Sequence, residues 1–126
     1  MKSTIFAVCL FLFMTALTFG FSRYMNGKAR AMLGKANEII QYAENKKWDE
    51  AEKQIEQLYG DFKKIKTAFA FVENHEALEL MEVSLKSALH YAKDKDSGQT
   101  NSQMEIFASV ADRLLQHGIP SFKNIL

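Results

Sequence analysis

An uncharged, strongly apolar segment near the N-terminus constrains this chain more than any other feature. Ile5 to Phe21 reads IFAVCLFLFMTALTFGF, 17 residues without a charged side chain. As an α-helix it would extend about 26 Å, which is at the short end of what can cross a hydrocarbon core of about 30 Å. Because the segment is apolar on every side, a small protein could not cover it as a core helix. The sequence therefore predicts a single membrane-spanning helix.

A cleaved signal peptide is the competing interpretation of this segment. Lys2 would supply its positive start, and Thr18-Phe19-Gly20 offers small residues at the spacing that precedes a cleavage site. However, the apolar run exceeds the usual h-region of roughly 7–15 residues, and no polar region follows it before the cleavage site. We expect residues 1–24 to form an uncleaved membrane anchor, and secretion after cleavage at Gly20 is the alternative.

The flanking charges leave the orientation in the membrane open. Arg23, Lys28, Arg30 and Lys35 follow the apolar segment, whereas Lys2 and the α-amino group precede it. The excess of basic residues after the segment favours a cytoplasmic C-terminal part, but the signal-like form of the segment favours export. We expect a single-pass protein of the cell membrane whose C-terminal domain is extracytoplasmic.

Residues 25–126 form the second predicted domain, and their apolar residues repeat at helical spacing in four stretches. The clearest stretch advances in steps of three and four from Trp48 to Val72, which is the a/d pattern of nearly parallel packed helices. No alternating apolar and polar stretch indicates a strand. The sequence therefore predicts an all-α fold, with an N-terminal transmembrane helix followed by a small antiparallel bundle of three to four helices.

The start of the last helix is predicted from local capping signals. Residues 94–101 are polar and rich in turn formers, which indicates a loop. Ser102 and Glu105 have the spacing of a capping box, in which each side chain binds a free backbone N–H of the first turn. We therefore expect the fourth helix to begin at Ser102.

Charge and cysteine content exclude several function classes. The chain has 16 basic and 15 acidic residues, so it lacks the basic excess of a nucleic-acid-binding protein, and we expect no nucleic-acid partner. Its single cysteine, Cys9, lies in the apolar segment, where it can form neither a disulfide framework nor a cysteine zinc site in the rest of the chain. No nucleophile motif or phosphate loop occurs, so we expect no enzyme and no cofactor.

One metal-site hypothesis arises at the start of the third predicted helix. His75-Glu76-Ala77-Leu78-Glu79 resembles the opening of a zinc-protease helix, but Glu79 stands where that motif needs a second histidine. A weaker site could use His75, Glu79 and Glu82, which share one helix face. The simpler interpretation has no metal: Glu76 and Glu79 complement the helix N-terminus, and Glu82 pairs with Lys86.

A partner-contact surface is the other hypothesis from the sequence. Phe71 lies off the apolar seam of the second helix, so it is a candidate exposed aromatic residue. His75 and Glu76 follow closely along the chain. We predict that Phe71, His75 and Glu76 contact another membrane or envelope protein.

Several short motifs, in order along nearly the whole chain, are similar to those of a known family. They are the N-terminal span, Trp48 with Ala51, His75-Glu76-x-Leu78, Glu82-Val83-Ser84-Leu85, Tyr91, and the ending Asn124-Ile125-Leu126. The family resembled is a domain of unknown function in short membrane-anchored proteins of Gram-positive, often spore-forming, bacteria. The resemblance implies membrane attachment and a helical domain, and it implies no activity.

Together these features predict a non-catalytic protein-interaction module tethered at the cell envelope. Two alternatives remain at this point: a secreted helical binding domain released by signal cleavage, and a weak metal site at His75, Glu79 and Glu82.

Overall fold

The protein folds into helices throughout the part of the chain that its computed structural model describes, residues 1–70 and 75–117. Four α-helices follow one another in this part: α1 (Lys2–Glu44), α2 (Trp48–Phe69), α3 (His75–Lys93) and α4 (Ser97–His117). The predicted all-α class is therefore confirmed.

Helix α1 is one continuous helix whose first part is exposed and whose second part is packed in the bundle. Its 43 residues correspond to a length of about 64 Å. The apolar segment at its beginning contacts no other helix, and large side chains such as Phe6 and Phe11 are each 70% exposed. From Met25 onward, one face of the same helix is buried among the other helices. The membrane candidate and the folded bundle thus share a single helix without an intervening linker.

The four helices enclose one hydrophobic core. Helix α1 packs on α2 and α4, and α3 packs on the same two helices, so the contacts form a closed ring. At the centre, the Phe62 ring of α2 meets the Phe107 ring of α4 edge to face, with ring centroids 6.2 Å apart. This aromatic pair joins α2 and α4, which lie opposite each other among the four helices, so it fixes the middle of the bundle.

The apolar seam predicted for α2 is confirmed. Its buried positions advance in steps of three and four: Ala51, Ile55, Leu58, Phe62, Ile65 and Phe69. Trp48 packs against the edge of this core and is partly buried. The helix ends at Phe69, earlier than the predicted end at Val72, and Val72 itself lies outside the described residues.

The two helix pairs, α1–α2 and α3–α4, bury corresponding positions. From Ala29 to Ile65, each buried residue in the first pair has a buried counterpart in the second at the chain separation that relates Ala43 to Ala92. The corresponding pairs include Ala29 and Leu78, Met32 and Met81, Ala36 and Leu85, Ile39 and Ala88, Ala51 and Thr100, Ile55 and Met104, Leu58 and Phe107, Phe62 and Ala111, and Ile65 and Leu114. The bundle is therefore built from two helix pairs of similar design, with the large Phe62 matched by the small Ala111.

The same turn joins the two helices of each pair. In the first, the Lys47 N–H donates to the Tyr42 carbonyl at 2.9 Å, which is the long bond of a Schellman motif. In the second, Asp96 donates to Tyr91 at 3.0 Å in the same way. Lys46 and Lys95 hold the left-handed position of these turns, each with φ 58°. Glycine usually occupies that position because a Cβ atom is strained there.

The prediction that α4 begins at Ser102 is wrong. The helix begins at Ser97, and its first turn is capped by the Asp96 carboxylate, which accepts a hydrogen bond from the Gln99 N–H at 3.0 Å. Thr100, predicted to lie in a loop, is fully buried. Tertiary packing of this residue against the bundle outweighs the turn-forming composition of the segment.

Candidate functional site

The structure separates the three residues of α3 proposed as metal ligands. His75 and Glu79 contact each other across one helical turn, with Nε2 and Oε1 2.9 Å apart, and both side chains are largely exposed. Glu82 is instead directed towards α2. Within residues 1–70 and 75–117, no group of three or more His, Cys, Asp or Glu side chains is placed to hold a metal ion. The geometry therefore offers no preformed ligand cage in this part of the chain.

Glu82 is the centre of a polar network between α2 and α3. Its carboxylate accepts hydrogen bonds from the Lys66 ammonium at 2.6 Å and from the Tyr59 hydroxyl at 3.2 Å. The predicted partner Lys86 also lies near this carboxylate, at 3.7 Å. Glu82 thus joins two helices. Its shorter ion pair is with Lys66 of α2, a partner that the residue spacing along α3 could not predict.

The network shifts the ionisation of its members. The hydrogen bond from Lys66 is the largest influence, and despite the opposing effect of burial it holds the pKa of Glu82 below its ordinary value. The same bond raises the pKa of Lys66. Both shifts favour the charged pair. A carboxylate held ionised in this way suits an interhelical clamp better than proton transfer near neutral pH.

Two large aliphatic side chains are exposed on another face of α3. Leu80 is 45% exposed and Val83 is 56% exposed. They stand one turn apart, on the same side of the helix as Glu76. The sequence analysis did not single them out, although they lie off the buried stripe of α3 that contains Leu78, Met81 and Leu85.

A shallow groove lies beside Leu80, between α3 and α4. Its volume is about 370 Å³, and Ile106 and Val110 of α4 contribute apolar surface to it. Glu105 and Arg113 place opposite charges on its rim. Aliphatic side chains with charged residues beside them are a composition that occurs at protein-binding surfaces.

Of the three predicted partner-contact residues, the structure describes two. His75 and Glu76 are exposed in the first turn of α3, close to the Leu80 and Val83 surface along the helix. Phe71 lies outside the described residues. The structure gives His75 and Glu76 an accessible position, and their role in binding stays a prediction.

The apolar start of α1 is consistent with a membrane span or a signal sequence. It is long and apolar enough to cross a membrane, by a test that a signal sequence also passes, and it is not buried against other helices. The hydroxyls of Thr15 and Thr18 donate to backbone carbonyls one turn earlier, those of Phe11 and Met14, each at 2.9 Å. The segment therefore satisfies its own polar side chains, as a span in hydrocarbon requires.

Comparison with known proteins gives a family and no activity. A family model described as a domain of unknown function, DUF4363, matches residues 19–125. No curated protein and no solved structure gives a significant match. The family match begins within the apolar segment and covers the four-helix bundle.

Proposed function

This chain belongs to the DUF4363 family of unknown function, and on that premise we propose that it is a single-pass membrane-anchored helical module that binds another envelope protein without catalysis. The uncleaved span over Ile5 to Phe21 supplies the anchor, and the bundle, in its extracytoplasmic position, supplies the binding surface. The observation that carries the proposal is the exposed pair Leu80 and Val83 beside the groove between α3 and α4.

The continuity of α1 supports a tethered module. Because no linker separates the span from the bundle, the bundle stands at a fixed height above the membrane. The short loops between α1 and α2 and between α3 and α4 favour antiparallel neighbours. In an antiparallel bundle, the start of α3 lies at the membrane end, and Leu80 and Val83 face sideways where a neighbouring membrane protein can reach them.

The chemistry of this face defines the partner. Exposed aliphatic side chains are best buried against an apolar surface, at about 25 cal/mol per Å². Glu76 and Arg113 at the edges would then pair with opposite charges and set the orientation. The partner is therefore an envelope protein that offers an apolar patch flanked by complementary charges.

Site-specific photocrosslinking in the cells that make the protein tests this proposal. A photoreactive phenylalanine analogue at Val83 should give one adduct of defined mass, whereas the same analogue at Lys53, exposed on α2, should give none. A second substitution, Leu80→Glu, should abolish the adduct at position 83 while circular dichroism shows an unchanged fold. Absence of an adduct at 83, or the same adduct from both positions, would contradict the proposal.

A further inference from the structure

A second recess opens between α1 and α2, on a different side of the bundle. Its volume is about 380 Å³. Tyr24, Lys28 and Lys64 line its polar part, and Met32, Leu58 and Ile65 contribute apolar atoms to its wall. We call this recess the juxtamembrane pocket. Its accessible cationic groups beside Tyr24 suit an anionic headgroup.

The pocket starts where the apolar segment ends. Tyr24 comes three residues after Phe21, which is about 4.5 Å along the helix axis, and Lys28 lies about 10 Å beyond Phe21. The headgroup layer on each side of a bilayer is about 5–8 Å thick. With α1 inserted through Phe21, Tyr24 lies in that layer, and the flexible side chain of Lys28 reaches back into it.

Charge is distributed along the bundle in a way that favours an anionic ligand at this end. The chain contains no Asp or Glu before Glu38, so the first turns of α1 beyond the apolar segment are purely basic. Helix α2 is acidic in its first half, which carries Asp49, Glu50, Glu52 and Glu56, and basic in its second half, which carries Lys63, Lys64 and Lys66. The pocket joins the basic parts of both helices.

Two of the pocket lysines are available to a ligand. Lys28 contacts the Tyr24 ring, with Nζ 5.7 Å from the ring centroid, and Lys64 is exposed with no hydrogen bond or ion pair to the residues that the structure describes. Lys35, deeper along α1, is already bound to Gln54 at 3.0 Å. Asp61 is the acidic residue among those lining the pocket, and it forms no ion pair there within residues 1–70 and 75–117.

We propose that the juxtamembrane pocket binds the phosphate headgroup of an anionic phospholipid from the membrane that α1 crosses. Lys28 and Lys64 hold the phosphate, and the Tyr24 hydroxyl lies at the level of the glycerol. A lipid headgroup is favoured over free phosphate because the membrane holds lipid headgroups at the level of Tyr24 and Lys28. The inference rests on the proposed membrane anchoring.

The test uses the full-length protein in a mild nonionic detergent. Trp48 is the single tryptophan of the chain and lies in the bundle, so its fluorescence reports unfolding there. Phosphatidylglycerol should raise the melting temperature saturably, and phosphatidylcholine should not. Lys28→Gln and Lys64→Gln should each weaken phosphatidylglycerol binding about fivefold, equivalent to about 1 kcal/mol per lysine. Lys53→Gln, an exposed lysine in the acidic half of α2, should leave binding unchanged.

Three outcomes would overturn the inference. The first is equal stabilisation by both lipids. The second is an equal loss of binding in Lys53→Gln and Lys64→Gln, which would indicate unspecific charge attraction. The third is equal stabilisation by inorganic phosphate, which would identify a free-anion site. Membrane fractionation of the same variants tests the anchoring proposal separately. Neither lysine substitution alters the apolar segment, so both variants should stay in the membrane fraction even where lipid binding is weakened.

Discussion

Truncation of Phe62 to alanine tests the packing at the centre of the bundle. The Phe62 side chain is completely buried, and its ring lies edge to face with Phe107 at an interplanar angle of 79°. Replacing a fully buried phenylalanine with alanine costs about 3–5 kcal/mol. A single small domain has a total stability of about 5–15 kcal/mol. Phe62→Ala should therefore remove a large part of the free energy of unfolding without necessarily abolishing the fold.

A double-mutant cycle separates the aromatic contact from simple loss of volume. Phe107→Ala should destabilise by a similar amount, and the double variant should lose less than the sum of the two single losses, by about 0.5–1.5 kcal/mol. Urea unfolding of the full-length protein in mild detergent, followed by Trp48 fluorescence, measures all four proteins. Lys53→Ala is the matched control, since Lys53 is exposed on the same helix as Phe62 and should change stability by less than about 0.5 kcal/mol.

The reasoning would be refuted by either of two results. One is a loss below about 1 kcal/mol in Phe62→Ala, which would mean that the ring is not buried. The other is a loss of unfolding free energy in the double variant that equals the sum of the losses in Phe62→Ala and Phe107→Ala. That result would mean that α2 and α4 do not contact each other through these two rings.

Three further predictions concern a turn, the polar network and the metal hypothesis. Lys46→Gly should raise the free energy of unfolding by about 0.5–1 kcal/mol in thermal melts. The left-handed backbone costs a residue with a side chain about 1–2 kcal/mol, and relief of that cost exceeds the entropy that glycine adds to the unfolded chain. Lys47→Gly is the control, because Lys47 has an ordinary φ of −88° and should gain no stability. Folding lowers the pKa of Glu82, so the ionised carboxylate stabilises the folded state. This contribution to the free energy of unfolding should be fully present above the ordinary pKa of 4.5 and should be lost as the pH falls through the lower pKa of the folded state. Glu82→Gln should flatten that part of a stability–pH profile, and an unchanged profile would contradict the clamp. Isothermal titration should show zinc binding no tighter than about 10 μM; tighter one-to-one binding that is lost in both His75→Ala and Glu79→Ala would restore the metal site.

The sequence predicted the helical core well because that core follows local periodicity. The seam of α2 from Ala51 to Phe69 and the buried face of α1 from Met25 to Ala43 both follow from steps of three and four residues. Such spacing must place side chains on one face of any helix, whatever the helix packs against.

The start of α4 was mispredicted because two local capping signals, at Asp96 and at Ser102, compete, and the tertiary contact of Thr100 favours the earlier one. Gly98 and Asn101 favour turns, and the Ser102 capping box offered a plausible later start. The burial of Thr100 against the rest of the bundle extends the helix back to Ser97 instead. Single-helix propensities contain no information on that contact.

The candidate surfaces were predicted least well, since each depends on two helices. Periodicity gave the Lys86 partner of Glu82, yet the closer partner, Lys66, comes from α2. The exposure of Leu80 and Val83 likewise depends on where α4 lies. The juxtamembrane pocket required both α1 and α2 to be placed before its lysines could be recognised as neighbours.

Membrane fractionation with intact-mass measurement tests the central claim most directly. Cells producing the protein are separated into membrane, soluble and medium fractions, and the mass of the chain is determined in each. We expect the chain in the membrane fraction, resistant to salt and alkaline extraction, with a mass that includes the segment from Ile5 to Phe21. A shortened chain that begins at or near Phe21 and is found in the medium would contradict the anchor and indicate a secreted helical domain.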